Sequence, residues 1–186
     1  MPFPGDLEDN PVVNGECLMS AASRGDSLEV LRLLGKGASA NAETPDQRCT
    51  PLSLAAENGY AAVIKLLGAA RADVNWRSGK GSELGAAMPC LRLAAMGGHL
   101  EAVSALLAAG ARPDLADAEG FSPLEAAATF GNASMVGALL CARASPSIAL
   151  DRPSAGAPRG YSALHSAVNK GQVVTCPLIK IWHVFS

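Results

Sequence analysis

The chain has 186 residues, 49% of them apolar, 17% charged and 4% aromatic, with a formal net charge of −2. That length suits one elongated domain rather than two globules, and the charge excludes a general attraction to nucleic acid, which calls for a basic face. No stretch reaches the roughly 20 apolar residues of a membrane span, and the apolar run at 178–185 is short and interrupted by Lys180.

Residues 1–13 form an acidic, Pro-rich extension (Met1-Pro2-Phe3-Pro4-Gly5-Asp6) without the apolar core of a signal segment. From residue 14 a short unit recurs. Ala21-Ala22, Ala55-Ala56, Ala94-Ala95, Ala127-Ala128 and the weaker Ala167-Val168 mark it, each followed by a glycine: Gly25, Gly59, Gly98, Gly131 and Gly171. The leading alanines are 34, 39, 33 and 40 residues apart, a period that signals stacked repeats. The units lie near 14–42, 46–76, 86–116, 117–147 and 158–172, and 173–186 is a diverged apolar tail.

The second unit shows the mechanics. Thr50 is placed to cap a first helix and Pro51 to occupy its first turn, where a missing N–H costs nothing. Paired alanines let neighbouring helices approach closely. Gly59 can end the helix in a left-handed conformation, and Val63, Ile64, Leu66 and Leu67 supply a second helix with an apolar face. The third unit carries Leu91, Gly98-His99-Leu100-Glu101, Val103, Leu106-Leu107 and Gly110-Ala111. The fourth carries Gly120-Phe121-Ser122-Pro123-Leu124, Val136 and Leu139-Leu140; the fifth opens Gly160-Tyr161-Ser162-Ala163-Leu164-His165.

This pattern, from about residue 14 to 172, resembles the ankyrin repeat: Thr-Pro-Leu-His, Ala-Ala, Gly-His, a leucine-rich helix, then Gly-Ala and Asn. The resemblance implies an all-α solenoid of about five stacked helix-turn-helix units with hairpin-like fingers, right-handed in its curvature. Three departures stand out. Arg71 and Arg143 replace the glycine that ends the second helix, so those turns are expected to be remodelled, because a left-handed non-glycine residue costs on the order of 1 kcal/mol. Gly68 replaces a leucine-like residue and is expected to thin the core of unit two. Pro177 would break the second helix of unit five. The tail after Gln172 is expected to cover the last repeat imperfectly and to be the route to any self-association of an otherwise monomeric chain.

The five cysteines (Cys17, Cys49, Cys90, Cys141, Cys176) are odd in number and lack C-x-x-C spacing. That argues against a disulfide framework and against zinc, and sets a reducing, cytoplasmic compartment as the expectation. His99 and His165 stand where the resembled pattern itself has histidine, and are read as ties between neighbouring turns; His183 carries no interpretable signal. Ser78-Gly79-Lys80-Gly81-Ser82 fails as a phosphate loop, since Val74 and Gly81 occupy the places of the required glycine and hydroxyl residue. Asp114 and Asp117 are read as solvent-facing turn residues, and Arg71, Arg77, Lys80, Arg152 and Arg159 as solvated loop charge. No catalytic, cofactor-binding or metal site is expected.

Binding remains. The longer steps place six or seven extra residues in 76–87 and 148–159, in the fingers that the resemblance assigns to the binding side; insertions of this kind often map to the functional face, although neutral loop drift produces the same length. Trp76, Phe121, Phe130 and Tyr161 fall on finger turns or at the end of an inner helix, where they serve either as interface rings or as finger-to-finger packing. With Glu57, Asn58, Arg77, Met96 and Lys170 they make the expected surface for a protein partner on the concave wall. The expected function is a non-catalytic interaction scaffold. The alternative is a regulatory or substrate-recruiting module of a larger protein, such as an enzyme or ubiquitin ligase.

Overall fold

The computed structural model describes residues 11–44, 49–77, 87–146, 162–171 and 175. These contain nine helices: α1 (Pro11–Arg24), α2 (Ser27–Gly35), α3 (Pro51–Glu57), α4 (Ala61–Ala69), α5 (Cys90–Met96), α6 (Leu100–Ala108), α7 (Pro123–Thr129), α8 (Ala133–Cys141) and α9 (Ala163–Asn169). They contain no strand; an isolated bridge pairs Arg77 with Pro89. The Trp182 and Phe185 tail, Tyr161, the 148–159 insertion and most of the 76–87 insertion lie outside the described residues.

Local chemistry sets the helix boundaries. The Thr50 hydroxyl accepts from Ser53 N at 3.2 Å and the Ser53 hydroxyl accepts from Thr50 N at 2.9 Å, a reciprocal cap at the start of α3 with Pro51 in its first turn. Asp26 caps α2 by accepting from Glu29 N at 3.0 Å, and Asn132 caps α8 by accepting from Met135 N at 3.1 Å. Gly59 ends the α3 turn at φ +78°, and a Cβ there would stand 2.5 Å from the His99 ring, so the position requires glycine twice over.

Odd- and even-numbered helices form two rows. Inner helices α1, α3, α5, α7 and α9 pack in sequence; α2, α4, α6 and α8 do the same outside; each inner helix up to α7 also packs on the outer helix of its own unit. One continuous core runs from Leu18 to Ala167. The alanines of the first four pairs are at most 1% exposed, which is why the inner helices can stand so close, whereas Val168 of the weak fifth pair is 61% exposed. Leu52, Ile64, Leu67, Leu91, Leu106, Leu124 and Leu139 fill the space between the rows.

Side chains at repeat spacing lock unit to unit. Asn41 Oδ1 accepts from Asp73 N at 2.8 Å, Asn75 Oδ1 from Arg112 N at 2.8 Å, and Asp114 Oδ1 from Ser145 N at 2.7 Å. His99 Nε2 meets the Glu57 carbonyl at 3.1 Å, tying unit three to unit two as its place in the pattern predicts. His165 Nδ1 belongs to the Ser162 cap of α9.

Three expectations need correction. The turns at Arg71 and Arg143 are not remodelled: both residues adopt the left-handed conformation, at φ 61° and 65°. The bond each following alanine N–H (Ala72, Ala144) makes back to Leu67 and Leu139 holds the turn closed despite the Cβ. Gly68 does more than thin the core, since a Cβ there would stand 3.2 Å from the Ala109 Cβ; its absence gives α6 a close approach to α4. Asp114 and Asp117 are not solvent-facing: Asp114 is half-buried in the unit-to-unit lock, and Asp117 is 5% exposed within an ion pair.

Candidate functional site: the cleft between two inner helices

Ser53, Arg92, Glu125 and His165 occupy one register position, the third residue of the inner helix or its near equivalent, in successive units. Packing α5 against α7 therefore brings an arginine beside a glutamate. Between them is a cleft of about 230 Å³ lined by Arg92 and Met96 of α5, Glu125, Ala126 and Thr129 of α7, and the flanking Phe121 and Phe130. It is smaller than the roughly 300–1,000 Å³ of small-molecule pockets, and matches one large side chain better than a substrate or cofactor.

The turn before α7 builds the polar end. Asp117 Oδ1 accepts from Glu119 N at 2.9 Å and Phe121 N at 2.8 Å, folding the chain so that the Phe121 ring lies under Arg92, 5.7 Å from guanidinium carbon to ring centroid. Asp117 Oδ2 stands 2.9 Å from Arg92 Nη1, with the two side chains 1% and 12% exposed. Glu125 is 2% exposed and completes the α7 cap: its Oε2 accepts from Ser122 N at 2.7 Å, while the Ser122 hydroxyl accepts from Glu125 N at 3.2 Å. Burial pushes the Glu125 carboxyl above its ordinary range, against the pull of the Ser122 bonds and Arg92. Glu125 Oε1, Arg92 Nε and the ion-paired Arg92 Nη1 and Asp117 Oδ2 are all shut off from solvent without a hydrogen-bond partner among the described residues.

Three of the residues expected at the interface meet here. Met96, at the end of α5, and Phe121 are half-buried cleft walls, and Phe130, the residue after α7, is 60% exposed. The others lie apart from the cleft. Glu57, Asn58 and Lys170 are exposed at the ends of α3 and α9, where Asn58 Nδ2 donates to Leu54 O at 2.8 Å. Trp76 is half-buried in the finger and its Nε1 donates to Glu43 Oε1 at 3.0 Å; Arg77 beside it is exposed. Tyr161 lies outside the described residues. Arg92, Asp117 and Glu125 were not expected here; aligning the units by their alanine pairs and comparing charge at equal register would have found Arg92 beside Glu125.

Among the described residues that line the cleft, none forms a nucleophile–base pair. Cys90, nearby on α5, is fully buried, and desolvation with the Asp73 charge pushes its thiol up to about 12. Among the described residues no group of three or more His, Cys, Asp or Glu side chains is placed to hold a metal ion. Among the same residues no helix is long and apolar enough to cross a membrane.

A two-row stack of helix pairs with one shared core and a side-chain-sized cleft between inner helices defines a repeat solenoid that presents a surface. The family model for ankyrin repeats in three copies matches residues 80–149, and the model for the single ankyrin repeat matches residues 47–78. SH3 and multiple ankyrin repeat domains protein 1 of Homo sapiens is 34% identical over 149 residues, covering 79% of this chain and 6% of that protein; the Mus musculus protein of the same name gives the same figures. Ankyrin repeat and KH domain-containing protein mask-1 of Caenorhabditis elegans is 40% identical over 89 residues, 47% of this chain and 3% of that protein. The chain belongs to the ankyrin repeat family, and is a protein-interaction module. It spans only a small fraction of the length of the curated relatives it matches.

Proposed function

We propose that this module is a non-catalytic scaffold that binds a protein partner along the wall formed by its inner helices and fingers, with Met96, Phe121 and Phe130 at the centre. The observation that carries the reading is the Phe130 ring, 60% exposed at the rim of a cleft whose other walls are Met96, Phe121 and Ala126 together with Arg92, Glu125 and Thr129. Large rings beside a ready pocket are where binding energy concentrates. Glu57, Asn58 and Lys170, at the ends of α3 and α9, extend the surface to either side, and Trp76 and Arg77 approach it from the finger; Tyr161, outside the described residues, is counted with them from the sequence. The module works as a monomer in the cytoplasm, in keeping with Cys17, Cys49, Cys90 and Cys141 standing as thiols outside any disulfide. A second reading, a regulatory or substrate-recruiting module of a larger protein, is favoured by the 6% of the relative's length that the alignment covers.

Affinity capture followed by titration tests the proposal. Phe130→Ala is expected to weaken the purified partner by about thirty-fold, near 2 kcal/mol, with a melting curve shifted only slightly because the ring is mostly solvated. Unchanged affinity with a large drop in melting temperature would identify Phe130 as packing.

A further inference from the structure

The turn that closes each outer helix carries a cation. Lys36 follows α2, Arg71 follows α4, Arg112 follows α6 and Arg143 follows α8, each exposed and within four residues of the helix end. Among the described residues the guanidinium groups of Arg71, Arg112 and Arg143 make no hydrogen bond or ion pair. The carboxylates that follow these turns are held by N–H groups of the fingers: Glu43 accepts from Trp76 Nε1 at 3.0 Å, Asp73 from Asn75 N at 3.0 Å and Asp114 from Ser145 N at 2.7 Å.

Two of these arginines carry a backbone cost. Arg71 and Arg143 stand left-handed at φ 61° and 65°, where the same turns of units one and three have Gly37 and Gly110 at φ 86° and 93°. A Cβ in that conformation is strained, and an exposed side chain recovers nothing from the core. The negative end of the helix favours a cation, but at an exposed, salt-screened site that gain is no larger than the strain. Folding alone is served at least as well by glycine, so what arginine adds there is its charge. The outer helices pack α2 on α4, α4 on α6 and α6 on α8, and the cations recur at about the 8–10 Å spacing of packed helices. An extended chain advances about 3.3 Å per residue, so every third side chain keeps step with them. A nucleic-acid backbone is charged at every nucleotide, denser than this ladder, and would meet the exposed Glu43 and Asp73 among the cations.

We propose that the turns closing the outer helices form a second interaction surface, for an extended acidic segment of a protein partner whose carboxylates, three residues apart, pair with Arg71, Arg112 and Arg143. This surface stands or falls separately from the face around Phe130.

The full chain, labelled with nitrogen-15, is titrated at low salt with the N-acetylated, C-amidated decapeptide Asp-Ser-Gly-Asp-Ser-Gly-Asp-Ser-Gly-Asp. An isomer with its four aspartates in one block and decathymidylate are titrated in parallel. The spaced peptide is expected to move the amide signals of Arg71, Arg112 and Arg143 in a saturable way, at least fivefold more tightly than either counterpart. Arg71→Gly/Arg143→Gly, which puts the residue of the other turns in place, is expected to weaken the spaced peptide at least fivefold while melting at or above the parent's temperature. Arg112→Gln weakens it as well, and Phe130→Ala leaves it unchanged. Equal binding of the two peptides overturns the proposal, as does a silent titration or unaltered affinity in the glycine variant. A glycine variant that melts well below the parent assigns the arginines to holding the helix ends and overturns it too. Binding lost in Phe130→Ala would move the peptide to the inner wall, and decathymidylate binding as tightly as the spaced peptide would replace the acidic segment by a nucleic acid; either result contradicts the proposal.

Discussion

Replacing Asp117 with alanine should be among the most damaging single changes in the array, although Asp117 lies in a turn. The carboxylate is 1% exposed and does three jobs: it accepts from Glu119 N and Phe121 N, and it faces Arg92 at 2.9 Å. Alanine leaves a guanidinium that is only 12% exposed without its counter-charge. Breaking a buried pair in this way costs about 3–5 kcal/mol, a large share of the roughly 5–15 kcal/mol that holds a domain folded. Arg92→Met/Asp117→Ala removes both charges, so it should be less destabilised than the sum of the two single changes, by more than about 1 kcal/mol. Urea unfolding followed by circular dichroism gives all four corners of this cycle. An Asp117→Ala midpoint within about 0.5 kcal/mol of the parent, or strict additivity in the double change, would refute the claim that the pair is buried and coupled.

Two further outcomes are expected. Gly59→Ala forces a Cβ into the left-handed turn and to 2.5 Å from the His99 ring, so its melting temperature should fall by clearly more than that of an alanine at Gly37, where nothing stands within 4 Å; an equal fall would mean the His99 contact is absent in solution. For Glu125 the sign follows from a carboxyl raised above its unfolded value of about 4.5 by burial, with Arg92 and Asp117 as the charges facing it. The ionised form burdens the folded state at neutral pH, and that burden fades as pH falls through the raised value toward 4.5. Glu125→Gln should thus match or exceed the parent's melting temperature at pH 7 and lose that advantage by pH 4; an advantage that grows on acidification would show the opposite shift.

The repeat architecture was legible because its cause is local and recurs. The paired alanines, the capping Thr50-Pro51 and Ser122-Pro123, and the glycines from Gly25 to Gly171 each dictate one piece of backbone, and five copies in phase leave little else to build. His99 was legible for the same reason, since it ties unit three to unit two as its place in the pattern implies; His165, read as the same kind of tie, shows bonds to the cap of its own helix instead. Arg71 and Arg143 were misjudged because intrinsic preference was weighed without the tertiary hold on the turn: the bonds from Ala72 N to Leu67 O and from Ala144 N to Leu139 O outweigh about 1 kcal/mol of strain. The polar half of the cleft was hidden for a different reason. Asp117 looks like any turn aspartate until α5 and α7 are placed side by side, and Arg92 and Glu125 stand 33 residues apart in the chain. Their meeting is a property of stacking that no single unit displays. Of the apolar half, Phe121 and Phe130 drew notice as rings in an aromatic-poor chain, and Met96 through its place on the concave wall that the resemblance implies.

The central claim, that the face around Phe130 is where a protein partner docks, is tested most directly by placing a photo-crosslinking residue at position 130 and, in a second chain, at Ser104, an exposed residue of the outer helix α6. With the partner present, irradiation is expected to give a covalent adduct from position 130 and none from 104, and excess uncrosslinked parent chain should compete the adduct away. An adduct formed from 104 while position 130 stays silent would put the interface on the outer row of helices and contradict the account.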